Sequence, residues 1–248
     1  MKIKSPQEIA VLREGGKRLA AVVQIVADAV RPGVTALELD TIAAREIKRY
    51  DATPAFLGYN GYPNVACISV NEQVVHGIPR QQTVIQPGDI VSVDLGLVYQ
   101  KLFTDMAVTV GAGTLDPEVA KLLEVTRASL YEGIRAARAG STTGDIGYAV
   151  QQYAEGFGFS VVRQLVGHGV GYQVHEPPQV PNFGKAGTGV QLIPGLVIAI
   201  EPMLNLGSAA VETMPDGWTI VTHDGAWSAH FEHTVAITDG DPEILTRA

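Results

Sequence analysis

The chain has 248 residues, of which 46% are hydrophobic and 18% charged, with a formal net charge of −8 and one cysteine. That length buries a full core, and the composition excludes a disordered chain. The acidic balance argues against a phosphate-tracking surface, and a single cysteine excludes an internal disulfide framework.

Ser5-Pro6-Gln7-Glu8 combines a capping serine, proline at the first helical position and glutamate three residues after the cap. Ile9, Leu12, Gly16, Leu19, Val23, Val26 and Val30 follow at helical spacing, so the sequence predicts a long amphipathic helix closed by Arg31-Pro32-Gly33. Thr35 to Glu38 repeats the capping pattern and opens a second helix through Leu39, Ile42 and Ile47. A loop rich in Gly, Tyr and Pro, Phe56 to Asn64, leads into a short strand over Val65 to Val70. The start carries no apolar core of signal-peptide type and no window approaches a membrane span, so a cytoplasmic location is expected.

Val91, Val93, Leu95 and Leu97 alternate with Ser92, Asp94 and Gly96, and the alternation resumes with Met106, Val108 and Val110. Two such runs around a short loop predict a β-hairpin. Centring the loop on Tyr99-Gln100 pairs Val98 with Lys101 and sets Asp94 directly opposite Asp105. Their Cβ atoms would then stand about 5 Å apart, where like charges repel unless a proton or a cation lies between them.

Beyond the hairpin, Asp116-Pro117 starts a third helix and Thr142 to Phe157 makes a fourth. Strands are expected at Ser160 to Leu165, Leu196 to Ile200, Trp218 to Thr222 and Phe231 to Thr238, the last of them carrying Glu232. With no Ser/Gly-rich linker or low-complexity run, one domain over residues 1–248 is the simplest organisation. The second half echoes the first. Arg31 to Leu39 matches Arg138 to Ile146, and Pro87 to Asp94 matches Pro194 to Glu201, both displaced by 107 positions (31 to 138, 87 to 194). Equal displacement at two separated places implies a duplicated unit, with Asp94 and Glu201 as counterparts across a pseudo-twofold axis.

Glu201 ends an apolar run and precedes Pro202; a carboxylate so placed is rarely buried unless paired or liganding. His168 lies in Gly167-His168-Gly169-Val170-Gly171, where flanking glycines permit close approach. Asp94, Asp105, Glu201 and Glu232 with His168 carry a formal charge of about −4, which two divalent cations cancel.

In order and context these five residues resemble the metal ligands of the pita-bread metallopeptidases. The segments Leu57 to Pro63, Cys67 to Glu72, Val75 to Pro79, His175 to Val180 and Thr213 to Thr219 resemble, more narrowly, type I methionine aminopeptidase, and the similarity runs from about Ser5 to Leu245. The resemblance implies an α+β fold of two related halves, with helix pairs covering a curved antiparallel sheet. It implies two divalent cations (iron, manganese, cobalt or zinc), Asp94 on one, Asp105 and Glu232 bridging both, and His168 and Glu201 on the other. Glu201 is then also the general base, His76 and His175 contact the substrate with His175 steadying the oxyanion, and Tyr59, Tyr62, Cys67 and Trp218 wall the methionine pocket. The implied partners are peptide and nascent-chain N-termini, with transient ribosome contact and a monomeric enzyme; nucleic-acid specificity and membrane attachment are not implied.

The chain departs from the family pattern at Val174, often aromatic in relatives, at Tyr172, commonly basic, and at Phe56, which leaves the pocket shape open. His223, His230 and His233 match no ligand position. Rival readings are an X-Pro peptidase of the prolidase or aminopeptidase P kind, which usually carries an extra N-terminal domain, a type II methionine aminopeptidase, which carries a helical insertion, and a non-enzymatic pita-bread binding module, which generally loses ligands.

Overall fold

The computed structural model describes residues 1–247. Its first half runs from helix α1 (Pro6–Asp28) and α2 (Ala36–Arg49) through β1 (Thr53–Pro54), β2 (Ala66–Val70) and β3 (Gln73–Val75) to the long hairpin β4 (Ile90–Tyr99) and β5 (Leu102–Gly111). The second half opens with α3 (Pro117–Ala136) and α4 (Thr143–Gly156). Short strands follow: β6 (Ser160–Val161), β7 (Gly167–Gly169), β8 (Glu176–Val180), β9 (Val197–Ile200) and β10 (Met203–Asn205). The last five are β11 (Val211–Thr213), β12 (Ile220–Thr222), β13 (Ser228–His230), β14 (Glu232–Ala236) and β15 (Glu243–Ile244).

Both predicted capping boxes form, Ser5 with Glu8 and Thr35 with Glu38, and a third joins Thr142 to Asp145, each side chain satisfying a backbone donor that the first helical turn leaves free. The main sheet is antiparallel, in the order β1-β4-β5-β14-β9-β7-β8, with β2 also on β4 and β15 on β14. Alternation along β4 sends Val91, Val93, Leu95 and Leu97 into a core with Leu19, Val23, Val26, Leu39 and Ile47 of α1 and α2. On the other half, Ile198 and Ile200 of β9 pack with Leu130, Ile134 and Ile146 of α3 and α4. One face of the sheet is therefore closed by helices, and the residues between these apolar ones face the opposite side.

The duplication extends to single backbone hydrogen bonds. Gly33 N–H donates to Ile85 O at 2.8 Å and Gly140 N–H to Leu192 O at 2.9 Å; Ala36 N–H donates to Thr83 O and Thr143 N–H to Val190 O, both at 2.9 Å. Each partner is displaced by the same 107 positions (33 to 140, 85 to 192, 36 to 143, 83 to 190). The isolated bridges Thr35 to Val84 and Thr142 to Gln191 repeat the displacement. In the sheet order the hairpin β4-β5 is answered by β14-β9, so the pseudo-axis passes between β5 and β14.

The hairpin register differs from the expected one. Asp94 pairs with Ala107 and Gly96 with Asp105, because the turn is Gln100-Lys101, closed by Tyr99 opposite Leu102. Both turn residues have positive φ (46° and 69°), the backbone of a two-residue turn whose twist suits the flanking strands, adopted here without the usual Asn-Gly. A shift of this size preserves the face, so Asp94 and Asp105 remain on one side of the sheet as diagonal neighbours. Expected strands are trimmed to Ser160–Val161, Val197–Ile200, Ile220–Thr222 and Glu232–Ala236, and β14 is not the final strand, since β15 pairs with it.

Gly16 shows how tightly α1 meets the C-terminal segment. A Cβ there would overlap the carbonyl oxygen and carbon of Leu245. Gly16→Ala is expected to cost about 1–3 kcal/mol, the usual range for overpacking a close contact. Denaturant unfolding measures it; an unchanged midpoint would show that the two segments separate freely.

Candidate metal centre

Four strands build the site wall. Cys67 of β2 pairs with Asp94 of β4, Asp94 with Ala107 of β5, and Ala107 with Glu232 of β14, a single row across one face. Asp105 lies two residues before Ala107 and shares that face. Reciprocal bonds lock β5 to β14 beside it: Asp105 N–H donates to Thr234 Oγ1 at 2.9 Å, and the Thr234 hydroxyl donates to Asp105 O at 2.8 Å. Glu201 follows β9 directly, where the register with β14 would continue to Glu232. By the internal displacement Asp94 corresponds to Glu201, and both flank the axis.

His168 Nδ1 lies 2.9 Å from Gly169 O, which fixes the proton on Nδ1 and leaves Nε2 as a bare lone pair. That lone pair faces Glu201 Oε1 at 3.4 Å and Asp105 Oδ2 at 3.9 Å. Burial pushes the imidazole down to about 3, so the ring is neutral and no ion pair exists here. Desolvation raises Asp94 to about 7 and Glu201 to about 8, and pushes Asp105 and Glu232 well up, their neighbours' charges adding to the effect.

Acceptors facing acceptors need a proton or a cation between them. Asp94 Oδ1, Asp105 Oδ1 and Glu232 Oε1 are buried without a hydrogen-bond partner, and among the described residues no Lys or Arg pairs with any of the four acids. One atom each from Asp105, His168 and Glu232 lie within 4.8 Å of one another. Ligand atoms held about 2.0–2.2 Å from one ion span comparable separations, so this donor set fits a bound divalent cation.

The acids open onto a cavity of about 240 Å³ that all the predicted site residues line. Tyr62 is pinned with Oη 3.0 Å from both Ala66 O and Gly77 O, and its ring meets Trp218 edge-on at 5.1 Å. Trp218 is held by Asp216 Oδ1, which accepts the N–H groups of Trp218 and Thr219 and so explains the Pro-Asp-Gly-Trp-Thr spacing. Cys67 is buried, its thiol pushed up by desolvation. His76, at φ 58°, stands 6.4 Å from Trp218, and burial lowers it to about 4. His175 Nδ1 is 3.0 Å from Tyr59 Oη, and its ring centroid is 4.2 Å from that of His168. Val174 and Phe56 back the pocket, packed with Tyr62 and Cys67.

The cavity lining also includes a histidine that the sequence had matched to no ligand position. His230 is 2% exposed, has both ring nitrogens buried without a partner, and places Nε2 3.6 Å from Glu201 Oε2. Its position two residues before Glu232 is the signal that could have found it. His233, by contrast, points away to Thr246 Oγ1 at 3.0 Å, and His223 is exposed beside Glu212.

Buried acids around a neutral imidazole, beside an apolar pocket and on the axis of two related halves, define a metallopeptidase of the pita-bread class. Residues 10–239 match the model of metallopeptidase family M24. A methionine aminopeptidase of Clostridium perfringens is 48% identical over 244 residues, covering 98% of each chain. The crystal structure of methionine aminopeptidase from Thermotoga maritima superposes with a TM-score of 0.98 at 45% identity over the full length of both chains. Prolidase from Pyrococcus furiosus shares the fold alone, with a TM-score of 0.79 and 22% identity over 99% of this chain and 65% of its own. The chain belongs to metallopeptidase family M24, and within it to the methionine aminopeptidases.

Proposed function

We propose that the protein removes N-terminal methionine from peptides and nascent proteins whose second residue is small, using two divalent cations. The observation that carries this reading is a single cavity lined both by the acids and His168 and by Tyr59, Tyr62, Cys67 and Trp218. An unbranched thioether fits such a flexible apolar slot, as ligand pockets of this kind combine apolar walls with few polar groups.

Asp94 would hold one cation, Asp105 and Glu232 both, and His168 and Glu201 the second. When bound, such ions supply Lewis-acid polarisation of the scissile carbonyl and a water acidic enough to attack near neutral pH. Glu201 takes the proton of the attacking water at a carboxylate oxygen and delivers it to the leaving amine. His175, accepting from the Tyr59 hydroxyl at Nδ1, presents Nε2–H to the developing oxyanion. His76, kept neutral by burial, would steady the substrate backbone, and crowding by the two histidines would admit only a small second side chain. The working metal among iron, manganese, cobalt and zinc follows availability, since this donor set accepts all of them. The proposal includes a single catalytic domain over residues 1–248, a monomer in the cytoplasm that meets nascent chains transiently at the ribosome. No helix among the described residues is long and apolar enough to cross a membrane.

The test is methionine release with manganese or cobalt present. Met-Ala-Ser and Met-Gly-Ser should be good substrates, and Met-Arg-Ser and Leu-Ala-Ser poor ones. Norleucine should leave slowly, because an apolar pocket separates similar side chains by only about 10- to 200-fold. Preferential cleavage of Ala-Pro or Gly-Pro would hand the assignment to an X-Pro peptidase, and metal binding without any cleavage would favour a binding module.

A further inference from the structure

The residues before α1 belong to no helix or strand, yet Lys4 is among the most buried charges of the chain at 3% exposed. Its Nζ donates to Glu176 Oε1 at 2.7 Å and to Lys2 O at 3.2 Å, and its N–H donates to Gly195 O at 2.8 Å. The same Glu176 Oε1 accepts the Tyr172 N–H at 3.1 Å, while Oε2 is buried without a partner. The Tyr172 hydroxyl in turn donates to Glu8 Oε1 at 2.7 Å, and Lys4 Nζ lies 5.1 Å from the Tyr172 ring centroid. Gly171, at φ 138°, is needed where it stands, because a Cβ there would overlap Lys4 Cε. The N-terminal segment thus grips residues 171–176 from behind, the stretch that joins the His168 motif to His175.

Stability alone is a poor reason for such a pair. Replacing both members of a buried ion pair by apolar groups is often neutral or stabilising, whereas removing one member strands the other. The pair lies outside the cavity lining, so it touches no substrate. Its geometric effect falls on the adjacent residue, His175, whose ring lies between a tilted Tyr59 ring at 5.3 Å and the His168 ring, met edge-on at 4.2 Å. Burial lowers the Lys4 ammonium and the Glu176 carboxylate opposes that shift, so Lys4 depends on Glu176 to stay charged.

We propose that Lys4 and Glu176 are positioning residues for His175: the ammonium orients the Glu176 carboxylate, the carboxylate fixes the Tyr172 N–H, and the turn so held aims the imidazole at the reacting carbonyl. This inference rests on the reading of His175 as the oxyanion donor. A loss of kcat on Met-Ala-Ser in His175→Ala, with metal stoichiometry unchanged, tests that reading first and separately.

The inference is tested by kcat and KM on Met-Ala-Ser, metal stoichiometry and thermal midpoint across a small series. Lys4→Met should lower kcat roughly 10- to 100-fold, the scale of a misplacement near 1 Å, with metal stoichiometry unchanged. Lys4→Met with Glu176→Gln should recover most of both kcat and thermal midpoint, since the amide oxygen still accepts the Tyr172 N–H without a stranded charge. Lys4→Met with Glu176→Leu should recover the midpoint but not kcat. In a His175→Ala background, Lys4→Met should lower kcat no further while still lowering the midpoint, the non-additivity expected of residues that act through one another. A kcat that tracks the thermal midpoint through the whole series, or an undiminished effect of Lys4→Met without His175, would overturn the assignment.

Discussion

Glu201→Gln is expected to lose about 10²- to 10⁴-fold in kcat under saturating metal, the range for removal of a general base. The carboxylate is bracketed by imidazoles, with Oε1 3.4 Å from His168 Nε2 and Oε2 3.6 Å from His230 Nε2. His168 Nε2 can only accept, because its Nδ1 proton is engaged by Gly169 O. A glutamine amide would turn its NH2 group toward that lone pair and make a neutral hydrogen bond that the carboxylate cannot make. The variant therefore loses the proton acceptor and also hides a ligand nitrogen, so metal affinity should weaken as well. The walls around the first substrate residue lie on other elements, and KM should change far less than kcat. Single-turnover rates at several metal concentrations separate the two losses. A kcat within about twofold of the parent would mean that Glu201 is neither base nor needed ligand.

How much of this was legible beforehand depends on the range of the signal. Capping boxes and helical periodicity are local, and the helices at Pro6, Ala36, Pro117 and Thr143 begin where Ser5, Thr35, Asp116 and Thr142 said they would. The duplication was legible because the same displacement recurs in the Pro-Gly turns before β4 and β9, where Gly88 and Gly195 both adopt positive φ. The hairpin register was not, since Gln and Lys carry no sequence mark of a turn with two left-handed residues. Strand β8 was hidden by Pro177 and Pro178, which a central strand would exclude but an edge strand, paired on one side to β7, accommodates. Lys4 and His230 were missed for a common reason: they acquire their surroundings from segments about 170 and 30 residues away, Glu176 and Glu201, and only His230, two residues before Glu232, carries any local mark.

Asp105→Ala should uncouple folding from metal. In the parent, the site gathers four raised carboxylates and three orphaned buried oxygens, so the metal-free fold bears the cost of desolvated acceptors that face one another. A cation that binds only the folded state offsets this and stabilises by about 2.7 kcal/mol at a hundredfold excess over Kd. For a chain of this size that corresponds to a rise in Tm of roughly 5–10 °C. Asp105 is central to the effect, since its carboxylate belongs to the cluster with His168 and Glu232 and serves both ions in the proposed arrangement. Removing it deletes one acid that neighbouring Asp94 and Glu201 disfavour, so the metal-free variant should unfold at the parent's temperature or above it. The same change should weaken metal binding by more than the roughly 10- to 100-fold typical of losing an outer partner of a ligand, and turnover should fall with it. The signature is therefore a Tm that no longer responds to manganese or cobalt, in a protein that folds as well as the parent without them. Calorimetric titration and paired thermal scans with and without metal read it directly. Unchanged stoichiometry and an unchanged metal-dependent rise in Tm would remove Asp105 from the centre of the site.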